Sequence, residues 1–244
     1  MEKRTPQEIM EELKQFDTPT ITNVVATYAS NKEFCLGLYD AWESSWYTNQ
    51  DLKCMYPELG RQVGYAVTVT FGLPSQGASG ISFKELYQAL ADSPKPVVLC
   101  IKQNFPERYK KKNGLAGGNM MTAFKSLGCV ESSLMNRHVI LMKSEQLNSV
   151  YADRCNCWTW SFVIQEINTP VDICDMQVMP GDIIHMDENG AVKFPEKYLE
   201  EVCRRSHLIN EYEATKQRLF AENTDPEIMY QIKTGKYRKI QRLI

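Results

Sequence analysis

Three histidines, eight cysteines and a pair of turn aspartates are the residues from which this chain could build a reaction centre. His138, His185 and His207 show no metal-ligand spacing among themselves: His185 alternates within a short strand and His207 lies on a polar helical face. Cys155-Asn156-Cys157 is the tight cysteine pair, and a single intervening residue gives neither zinc-knuckle nor redox spacing. Cys35, Cys54, Cys100, Cys129, Cys174 and Cys203 are scattered, so reduced thiols are expected rather than a disulfide framework. Asp182 in Met179-Pro-Gly-Asp182 and Asp187 in Asp187-Glu-Asn-Gly190 sit where aspartate caps its own turn, which favours structure over catalysis. Glu188 stays open as a contributor to a neighbouring subunit's site. Ser132-Ser133 has no partnered base, and Trp158 and Trp160 share one strand face, where packing is the default role. There is no glycine-rich nucleotide loop after a strand, no P-loop and no nucleophile elbow.

The elements that must carry these residues follow an α/β rhythm. Thr5, Pro6 and Glu8 form a capping box ahead of Ile9, Met10, Leu13 and Phe16 at helical spacing. A second helix is expected from near Thr20, with Ile21, Val24, Val25 and Tyr28 on one face, and residues 35–57 follow no clear period. Arg61 to Thr70 is β-branched and alternating, the pattern of a half-buried strand. A helix over Ser82–Ala91, a buried strand at Val97–Ile101, a loop to Gly118 and a helix over Asn119–Leu127 stopped by Gly128 come next. A strand near Val130–Leu134, a short helix around Met142–Leu147 and a strand from Val150 are expected after that. Trp158–Ile167 and Val171–Val178 read as strands joined by a turn at Asn168-Thr-Pro170. Ile183–Met186 and Ala191–Phe194 read as a hairpin, Pro195 to about Glu222 as a long helix, and Thr224-Asp-Pro-Glu227 as the cap of one more helix that Gly235 ends.

The 244 residues are 43% hydrophobic, with 28 Lys+Arg against 30 Asp+Glu, which argues against disorder and against a global basic field for nucleic acid or an anionic membrane. Lys233, Lys236, Arg238, Lys239 and Arg242, like Arg108 to Lys112, read as a solvated face or subunit contact rather than an RNA patch. The opening Met-Glu-Lys-Arg-Thr-Pro lacks the apolar core of a secretion signal and no apolar run approaches the ~20 residues of a spanning helix, so a cytoplasmic location is expected.

Four segments in order resemble the RraA-like proteins, which include the regulator of ribonuclease activity A and the metal-dependent 4-hydroxy-4-methyl-2-oxoglutarate aldolases. They are Asp17-Thr-Pro-Thr-Ile-Thr-Asn-Val-Val25, Gly60-Arg-Gln-Val-Gly-Tyr-Ala-Val-Thr-Val69, Gly117-Gly-Asn-Met-Met-Thr-Ala-Phe-Lys-Ser-Leu-Gly128 and Val178-Met-Pro-Gly-Asp-Ile-Ile-His-Met-Asp-Glu-Asn-Gly-Ala-Val192. The resemblance implies an α/β fold of the swivelling β/α/β type, a central β-sandwich or barrel flanked by helices. It places the family-like domain at 16–202, with an N-terminal helix at 1–15 and a helical extension at 203–244. It also implies a homotrimer or homohexamer with sites between subunits, and Mg²⁺- or Mn²⁺-assisted release of pyruvate from 4-hydroxy-2-oxo acids or decarboxylation of oxaloacetate. A ribonuclease partner follows from the family name alone. In such a site the free amides of Gly118, Asn119, Met120 and Met121 at a helix start would hold a carboxylate, with the metal polarising the 2-oxo group.

This sequence departs from that pattern. The aldolases carry an Arg-Asp pair beyond the helix; counting forward from Gly118 lands on Val139-Ile140, counting back from Val150-Tyr-Ala152 lands on His138-Val139, and a shortened turn places Arg137-His138 there. Arg137 could then clamp an anion and His138 ligate a metal, or Asn136-Arg-His138 is an ordinary polar turn. Asn23, Lys102 and Asn119 also stand where the family carries acids. The expectation is a divergent member that has lost standard magnesium chemistry and binds or regulates, or acts on an altered small anion with Lys102 among its contacts and no resident metal. The alternative is a metal-dependent carbon-carbon lyase using Arg137 and His138.

Overall fold

The computed structural model describes residues 4–27, 33–54, 57–77, 79–110, 118–130, 134–135, 139–140 and 162–238. Among the described residues, seven α-helices and twelve strands run in the order α1 (Pro6–Leu13), α2 (Thr18–Val25), β1 (Ala26–Thr27), β2 (Tyr39–Asp40), β3 (Lys53–Cys54), β4 (Gln62–Gly72), α3 (Phe83–Asp92), β5 (Val97–Asn104), α4 (Glu107–Lys110), α5 (Gly118–Ser126), β6 (Leu134–Met135), β7 (Val139–Ile140), β8 (Val163–Ile167), β9 (Val171–Ile173), β10 (Met176–Val178), β11 (Ile183–Asp187), β12 (Gly190–Phe194), α6 (Leu199–Ala221) and α7 (Pro226–Lys233).

Local chemistry sets the helix ends. Glu8 Oε2 accepts from the Thr5 amide at 2.7 Å while Thr5 Oγ1 accepts from the Glu8 amide at 3.3 Å, closing the capping box of α1. α2 starts two residues ahead of the expected Thr20 because Asp17 is its cap, Oδ1 accepting from the Thr20 amide at 2.9 Å. Ile21, Val24 and Val25 are buried as their spacing requires, and Tyr28 lies outside the described residues. The expected loop before Gly118 contains α4, and the helix and strand expected within 142–150 lie outside the described residues.

The main sheet runs β12-β11-β4-β5-β7-β6-β3, with β8 added on β4, and among the described residues it stays open rather than closing into a barrel. β4 and β5 are parallel from Tyr65↔Val97 to Gly72↔Asn104, the connection passing through α3. On its other edge β4 pairs first with β11 at Gln62–Tyr65 and then with β8 at Val69–Gly72.

The half-buried strand read from Arg61 to Thr70 is instead covered on both faces, from Val63 through Gly72. Val67, Val69 and Phe71 with Leu99 and Ile101 meet Leu86 and Leu90 of α3 and Met121 and Phe124 of α5. Ala66, Val98 and Cys100 meet Val171, Ile173, Met176 and Val178 of β9 and β10. Thr68 suits burial because its Oγ1 donates to the Thr169 carbonyl at 2.6 Å. The single strand read over Val171–Val178 is a tight hairpin, its bend made by Cys174 and Asp175 at φ 51° and 71°. A third apolar cluster joins Ile9, Leu13, Ile21 and Val24 to Trp46, Val202, Cys203, Ile209 and Ile232, so the first helices, α1 and α2, share one core with the last, α6 and α7.

Within β4, a Cβ on Gly64 would lie 2.8 Å from the Pro96 carbonyl oxygen and 3.1 Å from its carbon, backbone atoms of the neighbouring strand's approach. Gly64→Ala is therefore expected to lower stability by about 1–3 kcal/mol, seen as an earlier midpoint in urea with unchanged slope.

Candidate functional site

The chain concentrates polar side chains where β4 and β5 end. Val97 to Ile101 is apolar and buried, and the strand then closes on Lys102-Gln103-Asn104. α5 returns over the same strand: Met121 and Phe124 pack in its layer, and the Val130 amide donates to the Val97 carbonyl at 2.8 Å. The start of α5 therefore lies toward the carboxyl end of β5, the end of a parallel pair where ligands are held in open α/β sheets. Gly128, at φ 91°, stops the helix at the other end.

Five of the residues expected at the site are among those the structure describes. Gly118 opens α5; Asn119 is exposed, Met120 is half-buried, and the Met121 side chain lies in the apolar layer at 3% exposure. Met121 can offer a ligand only its amide, one of the first-turn N–H groups that find no carbonyl inside the helix. Lys102 is the ladder partner of Thr70 and shares its sheet face, opposite the layer in which α5 packs. Glu166, Thr70 and Lys102 thus form a row across β8, β4 and β5, with Glu166 accepting from Thr169 Oγ1 at 2.9 Å. Arg137 and His138 lie outside the described residues; the next residue, Val139, pairs with Ile101 of β5.

Two polar atoms at this end of the sheet are buried without a partner, Thr70 Oγ1 and Gln103 Oε1, in side chains whose residues are 5% and 4% exposed. Leaving such groups unpaired costs about 1–3 kcal/mol each. One is on the Lys102 face and the other on the α5 face. Lys102 with the buried Thr70 hydroxyl on one face, and the first-turn amides of α5 over the other, are groups that can each hold an anion at this end of the sheet.

The surviving aspartates are structural, as their turns imply. Asp182 Oδ2 accepts from the Met179 amide at 2.9 Å and faces Lys193 Nζ at 3.4 Å. Asp187 accepts from the Thr18 amide at 2.7 Å and the Asn189 amide at 2.8 Å, with Arg61 Nε 3.9 Å away. It is buried beside His185, whose Nε2 lies 3.3 Å from the Leu13 carbonyl and whose Nδ1 lies 3.0 Å from Thr18 Oγ1. A carbonyl can only accept, which assigns the proton to Nε2 and leaves Nδ1 to accept from the threonine. Burial, only partly opposed by Asp187, pulls the His185 pKa down to about 4. His185 is a neutral core histidine that ties the α1–α2 corner to β11.

The described residues do not fit the magnesium site that the resemblance implies. A hard cation needs several anionic or carbonyl oxygens free to ligate, yet Asp182 and Asp187 are bound to backbone amides and the positions beside the start of α5 and the end of β5 carry Asn119 and Lys102. The group of three potential metal-ligating side chains found among the described residues, Glu12, Cys203 and His207, is on α1 and α6. Sequence reading missed it, although Cys203 and His207 stand one helical turn apart.

Among the described residues no helix is long and apolar enough to cross a membrane. No curated protein sequence matches the chain. Solved structures that share the fold include the following three. An uncharacterized protein from Pseudomonas syringae pv. tomato str. DC3000 aligns with TM-score 0.58 at 17% identity over 96% of this chain and 97% of its own. A structure described as novel cellulases from microbes associated with the gut ecosystem aligns with TM-score 0.56 at 18% identity over 88% and 90%. Streptomyces coelicolor RraAS2, described as an unusual member of the RNase ES inhibitor RraA protein family, aligns with TM-score 0.53 at 16% identity over 88% and 99%. The family model RraA-like (Aldolase/RraA) matches residues 36–193, from just before β2 into β12, and the chain belongs to that family.

Proposed function

We propose that this chain is a divergent RraA-like protein that binds a small carboxylate-bearing anion of the 2-oxo acid class where β4 and β5 end and α5 begins, without Mg²⁺- or Mn²⁺-dependent cleavage. The observation that carries the reading is Lys102 beside the unpartnered, buried Thr70 hydroxyl, a cation and a donor where the family resemblance calls for an acid. The Lys102 ammonium attracts an anion and repels a divalent cation, opposed by the Glu166 carboxylate on the far side of Thr70. Loss of metal chemistry would leave a binding or regulatory role. A ring of three or six copies with sites shared between subunits, a cytoplasmic location, the 16–202 domain limits and a ribonuclease partner belong to the same proposal; the inhibitor description of RraAS2 supports the last by family likeness.

Calorimetric titration with pyruvate and with oxalate in the presence of a chelator tests it. Binding is expected without metal, and Lys102→Ala is expected to weaken it by ~10–100-fold, the loss of one charge-assisted hydrogen bond. In parallel, no pyruvate should appear from 4-hydroxy-2-oxo acids and no CO₂ from oxaloacetate on adding Mg²⁺ or Mn²⁺. Metal-dependent turnover that Arg137→Ala abolishes would overturn the proposal in favour of a lyase built on Arg137 and His138.

A further inference from the structure

Where α1 meets α6, outside the four family-like segments of the sequence, three residues of different chemistry converge. Cys203 and His207 lie one turn apart on the same side of α6, and Glu12 reaches them from α1. Their ligand atoms all lie within 4.8 Å of one another, with His207 Nε2 2.5 Å from Glu12 Oε1. We propose that Glu12, Cys203 and His207 form a site for a zinc-class divalent transition metal that fastens α1 to α6.

The donor set selects the metal. A thiolate with an imidazole and one carboxylate suits Zn²⁺ or Co²⁺, whereas Mg²⁺ and Ca²⁺ require oxygens. Metal–ligand bonds of ~2.0–2.3 Å around a tetrahedron place donor atoms ~3.3–3.6 Å apart, within reach of small side-chain rotations here. Cys203 is fully buried, while the His207 and Glu12 side chains are 49% and 27% exposed. The metal would enter from the His207 side and keep water on its fourth position.

The surroundings already hold the ligands in place. Arg4 Nη1 donates to Glu12 Oε2 at 2.5 Å, which orients the carboxylate with Oε1 toward His207. Glu200 pairs with the same guanidinium and offsets its charge. The edge of Phe16 and the His207 ring meet at 4.8 Å and 89°, which restrains the imidazole. Burial and then Glu12 push the Cys203 thiol up to about 11, with the nearby Arg4 guanidinium only partly opposing them. Binding therefore displaces the Cys203 proton to solvent as the thiolate forms the metal–sulfur bond, with no change of oxidation state.

Titration of the full-length, chelator-stripped and reduced protein with Co²⁺ tests the site. A single equivalent should produce the near-ultraviolet sulfur-to-cobalt charge-transfer band, and Zn²⁺ should bleach it. Cys203→Ser should remove the band, His207→Ala should remove or strongly weaken it, and Glu12→Gln should cut Zn²⁺ affinity ~10-fold or more. The double variant Cys155→Ser/Cys157→Ser should retain the band, which separates this site from the Cys155/Cys157 pair. Zn²⁺ should also raise the melting temperature of the unmodified chain and leave that of Cys203→Ser unchanged, with far-ultraviolet circular dichroism confirming that the variant folds. No thiolate band, a band that survives Cys203→Ser, or one lost only with Cys155 and Cys157 would overturn the proposal.

Discussion

Phe124→Ala is expected to lower the unfolding free energy by about 3–5 kcal/mol and to weaken anion binding in whatever fraction stays folded. Phe124 is 1% exposed, meets Tyr87 edge-on at 6.3 Å and 71°, and packs with Leu86, Leu90, Leu99 and Ile101. Nine-residue helices are marginal alone in water, so α5, which has nine, holds its place through Phe124 and Met121. Removing the ring leaves a cavity that α3 and the sheet cannot both close, and frees the first turn of α5 to shift. Urea unfolding followed by circular dichroism gives the first quantity, and oxalate titration below the transition gives the second. A loss below about 1 kcal/mol would show that α5 is not anchored this way.

The second large effect is a loss of stability in mild acid, centred on His185. The groups facing its ring are the Thr18 hydroxyl, the carbonyls of Leu13 and Phe16, the Asp187 carboxylate and Arg61. In the unfolded chain the imidazole titrates near 6.5, whereas in the fold it stays neutral down to about 4. Between those values the unfolded state binds the extra proton, so stability is complete above pH 6.5 and falls as the pH drops toward 4. The loss across that window is expected to be about 2–4 kcal/mol. Glu201, held down to about 2 by hydrogen bonds from Arg204 and Arg205, loses its contribution at lower pH, which separates the two events. Chemical denaturation at stepped pH measures the slope. His185→Gln should flatten the upper part of it, and an unchanged slope in that variant would assign the acid sensitivity elsewhere.

Much of this fold can be read from local chemistry. Thr5, Pro6 and Glu8 announce α1, Pro180-Gly181 announces a turn in which Gly181 takes φ 83°, and Asp225-Pro226 with Gly235 brackets α7. Readings failed where distant packing decided. The alternation of β4 suggested one wet face, yet the β9–β10 hairpin covers it, and a threonine is as compatible with a covered face as with water when its hydroxyl finds a carbonyl. The bend at Cys174-Asp175 carries no glycine to mark it. In the candidate site, Gly118 was visible as a glycine opening an apolar helical period. The row formed by Glu166, Thr70 and Lys102 depends on the register of three strands, which no single segment contains. Cys203 and His207 show their spacing on α6, but Glu12 is far off in the chain and only the folded contact of α1 with α6 supplies it.

The shared core of the first and last helices has a consequence for synthesis. Arg4 finds Glu200 across a sequence separation of 196 residues, and Glu12 finds His207 across 195. A chain emerging from the ribosome exposes Ile9, Met10 and Leu13 long before Val202, Cys203 and Ile209 exist to cover them. Until then α1 can rest only on the earlier members of its cluster, such as Ile21 and Val24 of α2 and Val63 of β4, and its contact with α6 closes only once α6 has been made.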